Sequence, residues 1–128
     1  APLLGKMEDV PESQWDAIQH SMEEVIYDVR GTGRSLRNGL QYRMAGKTGT
    51  AQVISIAAGE EYDSESLEKR KRDHALFVAY APSEDPEIAV AVIIENGESG
   101  GGVAGPVARA VMDAYLLNSP DVASGEQQ

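Results

Sequence analysis

Apolar residues recur at steps of three and four from Trp15 through Ile18, Met22, Val25, Ile26 and Val29, and Glu23, Glu24 and Asp28 take the other side. That spacing predicts an amphipathic helix with Trp15 in its core-facing stripe. Ser13, with Asp16 three positions on, forms an aspartate version of the capping box and marks the helix start. Gly31-Thr32-Gly33 should break the helix near Arg30, leaving residues 31–41 as a connection that contains Gly and Arg.

From Tyr42 the period shortens. Residues 45–56 read as one strand whose second half, Gln52-Val53-Ile54-Ser55-Ile56, is β-branched. Residues 57–73 hold six acids and four bases and read as a charged, mobile excursion. His74–Ala81 is a second strand, with Leu76, Val78 and Tyr80 alternating with Ala75, Phe77 and Ala79. Residues 82–86 carry Pro, Ser and Asp and form a turn, so the next run, Ile88–Ile94, pairs back as an antiparallel hairpin. That run is apolar at every position, which predicts cover on both faces. Residues 97–105 are glycine-rich, and Gly100-Gly101-Gly102 reads as a flexible turn.

A last helix should begin near Pro106 and turn Val107, Ala110, Val111, Ala114 and Tyr115 inward. Asn118-Ser119-Pro120 ends it. The order helix, three strands, helix predicts an α+β fold, an antiparallel sheet covered by helices. Residues 1–117 are the folded portion and 118–128 a disordered tail.

At 128 residues the chain is one domain at most, long enough to bury a real core. A net charge of −10 argues against nucleic acid as a partner, which needs a basic face. Residues 30–47 nevertheless hold five bases and no acid, a stretch that could focus an anionic ligand or be a solvated loop. Lys69-Arg70-Lys71-Arg72 lies between Glu68 and Asp73 and reads as solvated loop. There is no cysteine, His20 and His74 lack a second ligand at metal-binding spacing, and no cofactor is implied. No apolar run is long enough to span a membrane, and Ala1-Pro2-Leu3-Leu4-Gly5 has no signal-peptide character.

The stretch that carries chemistry is Ala45-Gly46-Lys47-Thr48-Gly49-Thr50-Ala51-Gln52. A phosphate-binding P-loop would need glycine where Gln41 stands, and its lysine would open a helix. Here Lys47 leads into Gly49 and a β-branched run, so that reading fails. The alternative is the Lys-Thr-Gly strand of penicillin-recognising serine acyltransferases. On a strand, Lys47 and Gly49 point one way and Thr48 and Thr50 the other. Two hydroxyls can hold a carboxylate, the lysine adds positive potential, and Gly49 lets a peptide backbone approach. A bare Lys-Thr-Gly is also compatible with an ordinary strand and a solvated lysine.

The longer context is specific. Tyr42-Arg43-Met44-Ala45-Gly46-Lys47-Thr48-Gly49-Thr50-Ala51-Gln52-Val53 resembles the third active-site motif of class B penicillin-binding proteins. Arg72-Asp73-His74-Ala75-Leu76-Phe77-Val78-Ala79-Tyr80-Ala81-Pro82, Ile88–Ile94, Glu95-Asn96-Gly97, the glycine-rich turn and the last helix follow in family order. The Arg-Asp-His and Glu-Asn-Gly pieces resemble the elongation-type branch, penicillin-binding protein 2, and the resemblance runs from about Trp15 to Leu117.

The resemblance implies a β-lactamase-like transpeptidase fold, of which this is the C-terminal portion. It also implies a D,D-transpeptidase on the periplasmic face of the inner membrane, held by an N-terminal anchor absent from this chain. The implied partners are peptidoglycan stem peptides ending in D-Ala-D-Ala, β-lactams, the remainder of the transpeptidase domain and the cell-elongation machinery. Lys47 and Thr50 become the catalytic candidates and Thr48, Gly49 and Thr50 the substrate-binding ones. By the family pattern Lys47 would bond to the hydroxyl of a Ser-x-Asn motif, and the Thr50 amide would complete an oxyanion hole.

The family's Ser-x-x-Lys and Ser-x-Asn motifs precede Lys-Thr-Gly, and nothing before Lys47 fits either. Ser66-Leu67-Glu68-Lys69 matches the first literally but follows Lys47 in a polar segment, where a nucleophilic serine is out of place. The 128-residue chain by itself is therefore expected to be inactive. A binding module of the same fold, kept as a β-lactam sensor, is the other class that fits.

Overall fold

The computed structural model describes residues 10–53 and 72–118. Helix α1 spans Glu12–Tyr27, strand β1 Ala45–Ala51, β2 His74–Ala81, β3 Ile88–Ile94, and helix α2 Gly105–Asn118. The three strands form one antiparallel sheet in the order β1-β2-β3. Lys47 lies opposite Val78, and Phe77 lies opposite Thr48 on one side and Val92 on the other. The α+β architecture, the hairpin and both of its strands are as the sequence predicts.

Register decides which face of the sheet is core. Ala75, Phe77, Ala79 and Ala81 of β2 are buried, and Ile88, Val90, Val92 and Ile94 of β3 pack beside them. Ala108, Met112 and Leu116 of α2 join this layer, with Ile26, Leu36 and Met44. Phe77 contributes the largest buried side chain, and a core aromatic of this kind stabilises by about 3–5 kcal/mol relative to alanine. The opposite face is only partly covered among the described residues. Val78 is 44% and Ile93 65% exposed, so β3 is covered on one face only, contrary to the expectation from its apolar sequence. Its run reads as doubly covered because every residue is apolar, yet only alternate residues meet α2.

Both helices differ from their sequence-based reading in a physical way. α1 begins one residue before Ser13, behind Pro11, with no side-chain cap; the Pro11 carbonyl accepts from Gln14 N at 2.9 Å instead. It stops at Tyr27, short of Arg30, because Asp28 turns extended and accepts at Oδ1 from the Arg30 amide. Only Ile26 of its apolar stripe is fully buried, and Trp15 is 42% exposed rather than core. Trp15, Ile18 and Met22 instead lean over Val78, Tyr80 and Ala89, leaving an apolar groove of about 530 Å³.

α2 begins at Gly105, one residue before Pro106, and turns the Ala108-Met112-Leu116 stripe inward. Val107, Ala110, Val111, Ala114 and Tyr115, the stripe expected inside, face outward. Both stripes repeat every four residues, and periodicity alone cannot choose between them. Asn118 is the last residue of the helix, not the first of a tail. Residues 31–41 contain a short 3-10 turn, Arg34–Arg37, whose Leu36 is buried. β1 ends at Ala51, so Gln52 and Val53 lie past it. The rest of that proposed strand, most of the charged excursion, and the tail from Ser119 fall outside the described residues.

A polar tie anchors α1 to the turn before β3. Ser83, 1% exposed, donates its hydroxyl to Glu23 Oε1 at 2.5 Å, while its carbonyl accepts from Gln19 at 2.8 Å. Arg43 donates to the other Glu23 oxygen at 2.7 Å and lies over the Tyr27 ring. The Arg43 hydrogen bond, then that of Ser83, hold the Glu23 carboxyl below its ordinary range.

Candidate active site

β1 is an edge strand, so its outer backbone groups have no strand partner among the described residues. Gly46 seats it on the core: a Cβ there would come within 2.9 Å of the Phe77 ring. From that seat the strand runs outward, leaving Lys47 and Thr50 exposed and Thr48 and Gly49 half-buried. Lys47 Nζ donates to the Thr48 carbonyl at 2.6 Å. The strand starts at Ala45, as the sequence predicts, two residues before Lys47.

Two other segments close on β1 at Thr48. The turn after α1 is drawn back against the helix, Gly33 N donating to the Val25 carbonyl at 2.9 Å. This brings Thr32 Oγ1 to 3.0 Å from Thr48 Oγ1. From the other side comes the glycine turn Gly100–Ala104, a single π-helical turn whose start is fixed by Ser99 Oγ accepting from Gly102 N at 3.0 Å. A Cβ on Gly100 would sit 2.5 Å from the Leu76 carbonyl and 2.9 Å from that of Gly49. A Cβ on Gly101 would strike the Thr32 carbonyl oxygen. Close backbone approach explains these glycines, and the turn is packed against the strand rather than flexible.

Beside Lys47 and Thr48 opens a polar hollow of about 500 Å³, walled by Ser21, Glu24, Asp28, Arg30 and Thr32. Charges of both signs line it. The basic run 30–47 makes no single positive face: Arg43 pairs with Glu23, Arg37 donates to the Tyr27 carbonyl, and Arg34 to that of Gly31. Of the two readings of this run, a focus for an anionic ligand and a solvated loop, the geometry favours the second, because most of these side chains serve their own neighbours. Among the described residues no group of His, Asp or Glu is arranged to hold a metal ion.

The structure thus brings Lys47, Thr48, Gly49 and Thr50 onto one accessible edge strand. It also adds Thr32, which the sequence reading passed over as part of a helix breaker. The available signal was a hydroxyl residue between two glycines in a turn that must fold back on its helix. Chemically, such an edge can pair with an extended peptide, offer hydroxyls to a carboxylate and hold an ammonium nearby.

The penicillin binding protein transpeptidase domain family matches residues 4–113. The chain belongs to this family. It is 44% identical, over 90% of its length, to the peptidoglycan D,D-transpeptidase MrdA of Haemophilus influenzae, of which it spans 18%. Among solved structures it resembles Pseudomonas aeruginosa PBP2 in complex with WCK 5153, at 41% identity and a TM-score of 0.72, covering 94% of this chain and 24% of that one. It also resembles Helicobacter pylori PBP2 in its complex with MreC, at 30% identity and a TM-score of 0.64, covering 82% of this chain and 18% of that one.

Proposed function

We propose that the chain is part of a peptidoglycan D,D-transpeptidase that cross-links stem peptides during cell elongation and is acylated by β-lactams. The observation that carries this reading is Lys47-Thr48-Gly49-Thr50 on a sheet edge with no strand partner among the described residues, in a chain of the penicillin-binding transpeptidase family. A serine supplied by the remainder of the transpeptidase domain attacks the penultimate D-Ala carbonyl. The C–N bond to the terminal D-Ala breaks, and D-Ala leaves as the amine, taking up a proton. An amine of a neighbouring stem peptide then displaces the serine.

In this reaction Lys47 supplies positive potential and orients a hydroxyl of the missing motif. Thr48 and Thr50 hold the donor carboxylate, Gly49 gives the donor backbone room, and the Thr50 amide stabilises the oxyanion. The open groove under Trp15 and Ile18 supports a larger domain, since an apolar hollow of that size is what further elements of one core would fill. Likeness to a PBP2 solved with MreC supports an elongation partner. The site would work at the periplasmic face of the inner membrane. No helix among the described residues is long and apolar enough to cross a membrane.

The test is mass spectrometry of the full-length protein after penicillin treatment, with release of D-Ala from a D-Ala-D-Ala donor followed in parallel. One penicilloyl adduct on a serine outside this chain, with D-Ala release, is the expected result. A sensor would form the adduct without release. No adduct, or an adduct on Ser66, would overturn the assignment.

A further inference from the structure

Thr32 has no part in the reaction as drawn, yet its hydroxyl lies 3.0 Å from that of Thr48. Its position is enforced by backbone contacts on two sides. Gly33 N bonds to the end of α1, and Gly101 packs against the Thr32 carbonyl so closely that no side chain fits between. The same Gly101 lies beneath Thr48, where its Cβ would stand 3.5 Å from the Thr48 methyl carbon. Thr32 and Thr48, sixteen residues apart in the chain, are thus clamped over one glycine.

We infer that Thr32 is a positioning residue for the donor carboxylate, acting through the Thr48 hydroxyl. The inference rests on the proposed function and deepens it. A carboxylate only accepts hydrogen bonds, so Thr48 must donate its one proton to it. The Thr32–Thr48 bond can then persist in one direction only, with Thr32 donating and Thr48 accepting. A hydroxyl that accepts one hydrogen bond becomes a better donor for the next. Thr32 therefore fixes the Thr48 rotamer, aims its proton outward and strengthens it. Without the partner, the Thr48 hydroxyl would turn among three staggered wells, only one of which serves the ligand.

The test uses the full-length protein and stopped-flow acylation by a fluorescent penicillin, which separates the binding constant from the acylation rate constant. Thr32→Val keeps the shape and removes the hydroxyl. It should weaken penicillin binding about three- to tenfold, the span of one neutral hydrogen bond, and change the acylation rate constant little. Thr32→Ser should restore binding, a result that a purely structural role for the methyl group would not give. In a Thr48→Ala background, Thr32→Val should have no further effect, because the groups act in series.

Losses that multiply in the double variant would overturn the inference. So would a Thr32→Ser variant as weak as Thr32→Val with an unchanged melting temperature. A wild-type protein that forms no adduct sinks the transpeptidase reading and this inference with it. A wild type that is acylated normally, beside a Thr32→Val variant that binds penicillin as tightly as wild type, sinks this inference alone.

Discussion

The hydroxyl of Tyr42 donates to Asp113 Oδ1 at 2.7 Å, tying the segment that enters β1 to the middle of α2. Burial, and then the Asp113 carboxylate, push the Tyr42 phenol above its ordinary value. The folded state thus favours the neutral phenol. This contribution is intact below the usual tyrosine range of about 10 and is lost as pH rises above it. Tyr42→Phe should cost about 1 kcal/mol at neutral pH and reduce the alkaline loss of stability. Tyr80, also raised by burial, will leave some slope. Denaturation midpoints across the alkaline range check both statements.

Glu23 sets the opposite limb. Its carboxyl is depressed by Arg43 and Ser83, so the folded state favours the charged form. That stability is present above the usual glutamate value of about 4.3 and is lost as pH falls through the lower folded value. Glu23→Gln should lower the melting temperature at neutral pH and flatten its acid-side dependence. A variant that melts along the wild-type curve at every pH would show that the tie contributes nothing.

The strands were legible in the sequence because β-branched and alternating runs between Pro, Gly and Asp have few other solutions. β1 was legible only through the β-branched run that follows it, since Ala-Gly-Lys-Thr-Gly-Thr-Ala has little strand character of its own. The inward face of α2 was not legible: Val107, Val111 and Tyr115 repeat as regularly as Ala108, Met112 and Leu116, and bulk favoured the wrong set. Trp15 misled for a related cause, because helical spacing shows that a residue belongs to an apolar stripe without showing how far a neighbour covers it. The Thr32–Thr48 pair depends on two turns folding onto one strand, a relation that no local pattern encodes.

Lys47 has the sharpest functional consequence. In the full-length protein Lys47→Ala should slow acylation by about two to three decades, the loss of one charge-assisted contact worth roughly 2–4 kcal/mol in the transition state. The melting temperature should hardly move, because Lys47 is exposed. Thr50→Val should weaken binding less, since its backbone amide survives. Stopped-flow acylation alongside thermal melts separates loss of chemistry from loss of fold.

Gly101 is a structural lock on the same site. Gly101→Ala would drive a methyl into the Thr32 carbonyl, so the turn or the strand must move. A destabilisation of about 1–3 kcal/mol is expected, with weaker penicillin binding because Thr32 is displaced from Thr48. By contrast Gly102→Ala meets only the Ser99 side chain and should be milder on both counts. Equal effects of the two substitutions, read by melting temperature and penicillin binding, would count against the lock.

A sheet edge left open for a peptide is also open, through its backbone, to any other extended chain, including one from a second molecule. The composition of β1 bears on that hazard. Its seven residues hold two glycines, two alanines and a lysine, a poor template for a foreign hydrophobic strand. A ligand must therefore bring something besides a backbone to stay, and in the proposed function that handle is a terminal carboxylate held by Thr48 and Thr50. On this view the weakness of the strand is itself a filter, separating a short anionic peptide end from the many uncharged segments that could otherwise dock and aggregate.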